Sequence, residues 1–201
     1  MRCTHCHKNH VSIDLPHMPG KLCKTCAINL IEKRVRKHIR TNKLFSKHDE
    51  VIILDDNSAA AAVSGHLIRR IIPYLDVHLT KRKIKDRRNI ASKSIDGYRK
   101  QKVKVVLPWS LDDEIEYKLE QLFTDTSSED KDAIKLLRNL TEQEIEWFAR
   151  QHKLRFSKTK PYNKDIRKML QRIHKNHPSI KFSLLKSLDA LLVIPGFKEK
   201  C

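Results

Sequence analysis

The chain has 201 residues, enough for one medium domain or for a domain plus a small module. Lys and Arg number 42 against 24 Asp and Glu, a formal net charge of +18, which points to a polyanionic partner and most simply to nucleic acid. No apolar run reaches the roughly 18 residues of a membrane span. The N-terminus MRCTHCHKNH lacks the apolar centre of a signal peptide, so a cytoplasmic protein with no membrane partner is expected.

Cys3, Cys6, Cys23 and Cys26 form C-x2-C-x16-C-x2-C. Each pair folds as a turn that aims two thiolates at one point, and two such turns supply the four soft ligands of a closed tetrahedral zinc site. Arg2, Lys8, Lys21 and Lys24 favour the thiolate form. His5, His7, His10 and His17 stand close enough in sequence to replace a cysteine, but four cysteines already complete the shell, so the metal reads as structural. The spacing predicts a zinc knuckle over residues 1–27. A helix follows, with Ile28, Ile31, Val35 and Ile39 on one face and Lys33, Arg34, Arg36, Lys37 and Arg40 on the other. That basic face reads either as solvated or as phosphate-contacting.

Val51–Leu54 is a short, wholly apolar, β-branched run, the signature of a buried parallel strand. Asp55, Asp56, Asn57 and Ser58 are turn and N-cap residues, and Ala59–Ala62 opens a helix that ends before or bends at Pro73. Strand, turn and helix N-terminus make the geometry of a phosphate site, yet the turn holds two acids and no glycine. Lys81–Lys104 is the most basic stretch and reads equally as a phosphate-contacting arm or a solvated linker. Val103–Leu107 predicts a second buried strand. Leu111–Phe123 predicts an acidic helix whose Asp112 and Asp113 complement the helix dipole. Thr141 and Glu144 form a capping box for a helix over 142–152, and Leu154 with Phe156 suggests a short strand. Asp165–His177 predicts a basic helix with Ile166, Met169, Leu170 and Ile173 inward; a last apolar helix carries Phe182, Leu185, Leu188 and Leu192.

In this order the segments resemble the tRNA 2-thiolation family, the TtuA-like and cytoplasmic thiouridylase proteins of the PP-loop superfamily. Five stretches carry the resemblance: the double C-x2-C with the helix INLIEKRVRKHI, the strand at Val51–Leu54, KVKVVLPWSLDDEIEYKLEQLF, LTEQEIEWFARQHKLRF, and PYNKDIRKMLQRIHKNHPSIKFSLLKSLDAL. The resemblance implies an α/β fold: a shortened parallel-sheet PP-loop core, adenine nucleotide α-hydrolase-like and Rossmann-like, with an N-terminal zinc knuckle. Residues 28–201 would be that core, with a basic arm at 80–104. It further implies tRNA or another RNA as partner, contacted by Lys81, Arg82, Lys83, Lys85, Arg87, Arg88, Lys164, Arg167 and Lys168, and an active thiolase or a second copy as a further partner.

The departures from the family are chemical. The family's phosphate loop is SGGKDS, whose glycines let amides approach ATP. Here Asp55, Asp56, Asn57 and Ser58, with Asp112 and Asp113 across from them, read as a remnant of that nucleotide site. No cysteine lies between Cys26 and Cys201, and Lys160 stands where the family places its second catalytic cysteine. Phe197–Cys201 resembles the start of the family's second knuckle. Structural zinc is therefore expected, with neither ATP and magnesium nor an iron–sulfur cluster, and no catalytic residue. The reading is a degenerate, non-catalytic homologue. Its rivals are a divergent ATP-dependent tRNA sulfurtransferase, with magnesium bridging Asp55 or Asp56 to a phosphate, and a zinc-containing protein-interaction or ribosome-associated module.

Overall fold

A computed structural model describes residues 1–85, 103–124, 133–158 and 160–193. Among these, three parallel strands form a sheet in the order β2-β1-β3, where β1 is Glu50–Asp55, β2 is His78–Lys83 and β3 is Lys104–Val106. Six α-helices surround it: α1 (Lys24–Thr41), α2 (Ala59–Ile71), α3 (Leu111–Thr124), α4 (Glu142–Gln151), α5 (Lys164–Asn176) and α6 (Ile180–Val193).

The central strand explains its own composition. Val51 and Ile53 enter a large core with Ile31 and Val35 of α1, Val63 and Leu67 of α2, and Phe148 of α4. Leu54 points to the opposite face, against Val105, Leu107, Trp109 and Tyr117. A strand buried on both faces has no polar side to show, so its apolar run does not alternate. Gly65 lets α2 lie close on this strand, since a Cβ there would meet Ile53 Cδ1 at 3.3 Å. A third cluster, remote from the sheet centre, joins Leu111, Ile115 and Leu119 of α3 to Ile166 and Leu170 of α5 and Leu185 and Leu188 of α6.

Several expectations need correction. The stretch read as the start of a basic arm is β2: Lys81 pairs with Ile53, Arg82 with Leu54 and Lys83 with Asp55. Its charged side chains hide a strand because they remain exposed. Helix α2, by contrast, ends at Ile71, before Pro73, where its end was expected. Leu154 and Phe156 form no strand; they lie in irregular chain packed on the main core. Met169 and Ile173 are 40% and 38% exposed rather than inward. A rudimentary pairing escaped the sequence: Ile134 bridges to Val106 and Leu137 to Ser110, both parallel, extending the sheet edge toward α3. Residues 86–102 of the expected arm, with Arg87 and Arg88, and the Phe197–Cys201 segment lie outside the described residues.

Candidate functional site

The two C-x2-C turns converge. One ligand atom from each of Cys3, Cys6, Cys23 and Cys26 lies within 4.8 Å of every other, and Cys6 Sγ is 3.8 Å from Cys23 Sγ. Four thiolates held about 2.3 Å from a single zinc ion stand about 3.8 Å apart, so this set fits one tetrahedral ion. Each thiolate of an iron–sulfur cubane binds its own iron and stands farther from the rest. Cys23 is the residue before α1 and Cys26 lies in its first turn, so the helix N-terminus faces the sulfurs. Burial raises the Cys3 thiol, but the amides of Cys6, Cys23 and His5 more than offset this and bring it to about 6. Burial, then the neighbouring sulfurs, push Cys26 up to about 12. Four crowded sulfurs resist full ionisation until a divalent cation joins them. Of the nearby histidines, His17 turns away to the core, its Nε2 3.4 Å from Glu144.

At the carboxyl end of β1 the loop closes on itself. The Asn57 amide donates to Asp55 Oδ1 at 2.9 Å, and the Ser58 amide to Asp56 Oδ1 at 3.0 Å. Ser58 Oγ accepts from the Ala61 amide at 3.1 Å, capping α2. Asn57 takes the left-handed backbone, φ 61°, that this tight turn requires. The amides of Asn57 and Ser58, which a phosphate in this turn would meet, are thus already bonded within the loop. The space between this loop and α3, lined by Ser58, Ser110, Asp113, Glu142 and Ser157 among others, is a cavity of about 20 Å³. That is room for about one water molecule.

Asp112 and Asp113 are not loop ligands; they belong to a buried ionic cluster. Asp112, Asp113, Glu114 and Glu116 are each at most 2% exposed. Arg167 reaches from α5 to Glu116, Glu142 and, at 3.1 Å, Asp113. Lys181 of α6 bonds Asp112, whose other oxygen accepts the Glu142 amide at 2.8 Å. Glu114 pairs with Lys135, Lys118 and Arg138. The acids therefore tie the first turn of α3 to α4, α5 and α6, a larger role than complementing the helix dipole. Burial raises the Asp112 carboxyl, but Lys181 and Arg167 outweigh it and hold the group below the ordinary carboxylate range.

The expected RNA-facing residues divide. Lys164 and Lys168 are exposed on α5, and Lys81, Arg82, Lys83 and Lys85 are exposed on β2 and just after it. Arg167, expected among them, is 6% exposed and committed to the acids. Arg34 is likewise drawn from the basic face of α1 to Glu144 and the Asn139 carbonyl. Lys160 lies in the irregular chain before α5. Sequence reasoning missed that Arg69, Arg70 and Arg155 converge with Lys81 around one pocket. The Arg69–Arg70 pair is visible in the chain, but nothing in it shows which cations face one another.

No protein-family model matches the chain, and no curated protein matches it. Among solved structures it resembles the U34-tRNA thiolase NcsA from Methanococcus maripaludis with its [4Fe-4S] cluster: TM-score 0.73 and 16% identity, covering 98% of this chain and 89% of that one. That protein's cluster runs against the expectation that iron–sulfur chemistry is foreign here, and fold alone gives no ground for that exclusion. Among the described residues no helix is long and apolar enough to cross a membrane. Over nearly its whole length, the chain has the fold of a tRNA thiolase.

Proposed function

We propose that the protein serves tRNA thiolation as an RNA-binding, zinc-bearing member of this fold that does not itself activate tRNA with ATP. The observation that carries this reading is the self-capped loop: Asp55 and Asp56 occupy the amides of Asn57 and Ser58. A phosphate entering there must break both bonds and sit beside two carboxylates, and the space between the loop and α3 has room for about one water molecule. The cysteine set supports zinc by its spacing, and the high positive charge suits tRNA. An active thiolase would supply the chemistry, and a second copy of the chain would be a partner in assembly only. With five cysteines in all, four of them in the knuckle, a four-thiolate cluster would have to take the place of zinc there.

Thermal denaturation with magnesium and ATP tests the reading. A ligand at a hundred times its Kd stabilises by about 2.7 kcal/mol, or about 5–10 °C in a chain of this size. The expected result is an unchanged Tm at millimolar nucleotide. A magnesium-dependent rise of that size would favour the divergent sulfurtransferase instead.

A further inference from the structure

The open pocket between α2, β2 and the chain leaving α4 has a volume of about 480 Å³, within the range of ligand-sized sites. Its walls are Ala62, His66, Arg69 and Arg70 of α2, Lys81 of β2, and Leu154 and Arg155. Four cations therefore face one hollow, and their pairing is uneven. Arg70 is bonded to Glu32 at 2.5 Å, and Lys81 lies 3.6 Å from Asp55, both at partly exposed positions. Arg69 and Arg155 are exposed and have no acidic partner among the described residues.

Two unpaired guanidinium groups beside one cavity repel each other at an avoidable cost, unless an anion joins them. Guanidinium forks suit phosphate oxygens in geometry as well as charge. The rest of the lining is suited to more than a free ion. The His66 ring packs at a tilt against His152, centroids 4.5 Å apart, and edge-on against Phe148 at 5.9 Å, contacts that hold its orientation. His66 and Leu154, both half-buried, add a ring and an aliphatic side chain beside the cations, and a ring next to guanidinium groups suits a nucleobase next to its phosphate. The pocket borders the self-capped loop without including it: Ala62 donates its amide to the Ser58 carbonyl and Lys81 lies 3.6 Å from Asp55, while Arg69 and Arg70 line it from the last turn of α2.

We propose that this pocket is a contact site for the tRNA backbone, with Arg69 and Arg155 holding a phosphodiester and Lys81 and Arg70 flanking it. This rests on the tRNA reading above, but it assigns a place to the contact that the fold and the motifs do not. An acidic peptide would find the charges but would have no use for the His66 ring.

The test compares tRNA affinity at several salt concentrations for the unaltered protein, for Arg69→Gln/Arg155→Gln, and for Lys47→Gln/Lys175→Gln. The last pair removes two exposed charges away from the pocket. Removing one cation from a phosphate lowers the salt slope by about 1. Because both arginines hold one phosphodiester, the pocket variant should lose about 1 unit of slope with its Tm unchanged, while the control loses little. Arg69→Lys/Arg155→Lys should restore most of the slope. If the unaltered protein binds tRNA with a steep slope and the pocket variant keeps it, the pocket assignment is overturned and the tRNA reading survives. If the unaltered protein shows no salt-dependent tRNA binding, both fall together.

Discussion

Cys23→Ser is expected to release the bound metal and unfold the N-terminal 27 residues while leaving the sheet domain intact. The knuckle's own core is small: Ile13, Met18, Leu22 and Ala27 besides the cysteines. A segment this short does not close on apolar burial alone, and a structural zinc ion supplies roughly 10–16 kcal/mol of apparent binding free energy in isolated fingers. The knuckle also rests on the main domain. Trp147 of α4 packs against it and donates from Nε1 to the Ser12 carbonyl at 3.2 Å, while His17 reaches Glu144. Metal content per chain, amide exchange over residues 1–27 and Trp147 fluorescence should all change together. Zinc content equal to that of the unaltered protein would show that the four cysteines do not form the site. Visible absorbance of an iron–sulfur cluster, abolished in the same variant, would replace zinc as the occupant.

Arg167→Ala is expected to destabilise the protein by about 3–5 kcal/mol, the cost of stranding buried carboxylates whose partner has been removed. Asp113 and Glu116 are each at most 1% exposed, so removing the guanidinium leaves them buried without that partner. Arg167→Lys should fall between, because one ammonium cannot reach three carboxylates from one position as the planar fork does. Urea unfolding measures both; a loss under about 1 kcal/mol for the alanine variant would mean that Lys181 and Lys135 suffice. The same cluster sets the response to acid. Asp112 is held below its ordinary range, so its contribution is complete above the unfolded carboxylate pKa of about 3.9 and disappears as pH falls through the lower folded value. Removing Arg167 takes away one of the cations that depress Asp112, so the acid transition of Arg167→Ala should move to higher pH.

The contrast between Arg167 and Lys168 marks where sequence reading reaches and where it stops. Both sit on a basic helix whose existence, and nearly whose ends, follow from the apolar spacing of Ile166 and Leu170. Composition cannot say that one cation turns inward, because its partners are Glu116, 51 residues away in the chain, and Asp113, 54 residues away. The buried strand β1 is legible because covering both faces removes polar residues. Strand β2 is not, because an edge strand keeps its backbone pairing on one side while its side chains stay charged. The cysteine set is plain from spacing alone, since a pair of C-x2-C turns is what a four-thiolate metal shell requires. Asp55 and Asp56 stand out in the chain as foreign to phosphate chemistry, but only the structure shows where their oxygens go.

The pocket lined by Arg69 and Arg155 belongs to the same class of hidden feature. Arg69 lies in the last turn of a helix, Lys81 lies mid-strand and Arg155 follows a third element, so no window of sequence contains the site. Such convergence is what the fold adds to a chain whose charge already announces an anionic partner.

The most direct test of the account measures pyrophosphate release from ATP by the zinc-loaded protein in the presence of magnesium, a sulfur donor and tRNA. The account predicts release no faster than in a mixture without the protein, under conditions where the tRNA is bound. Pyrophosphate release that requires both the protein and tRNA, and that persists after any co-purifying thiolase has been removed, would contradict it.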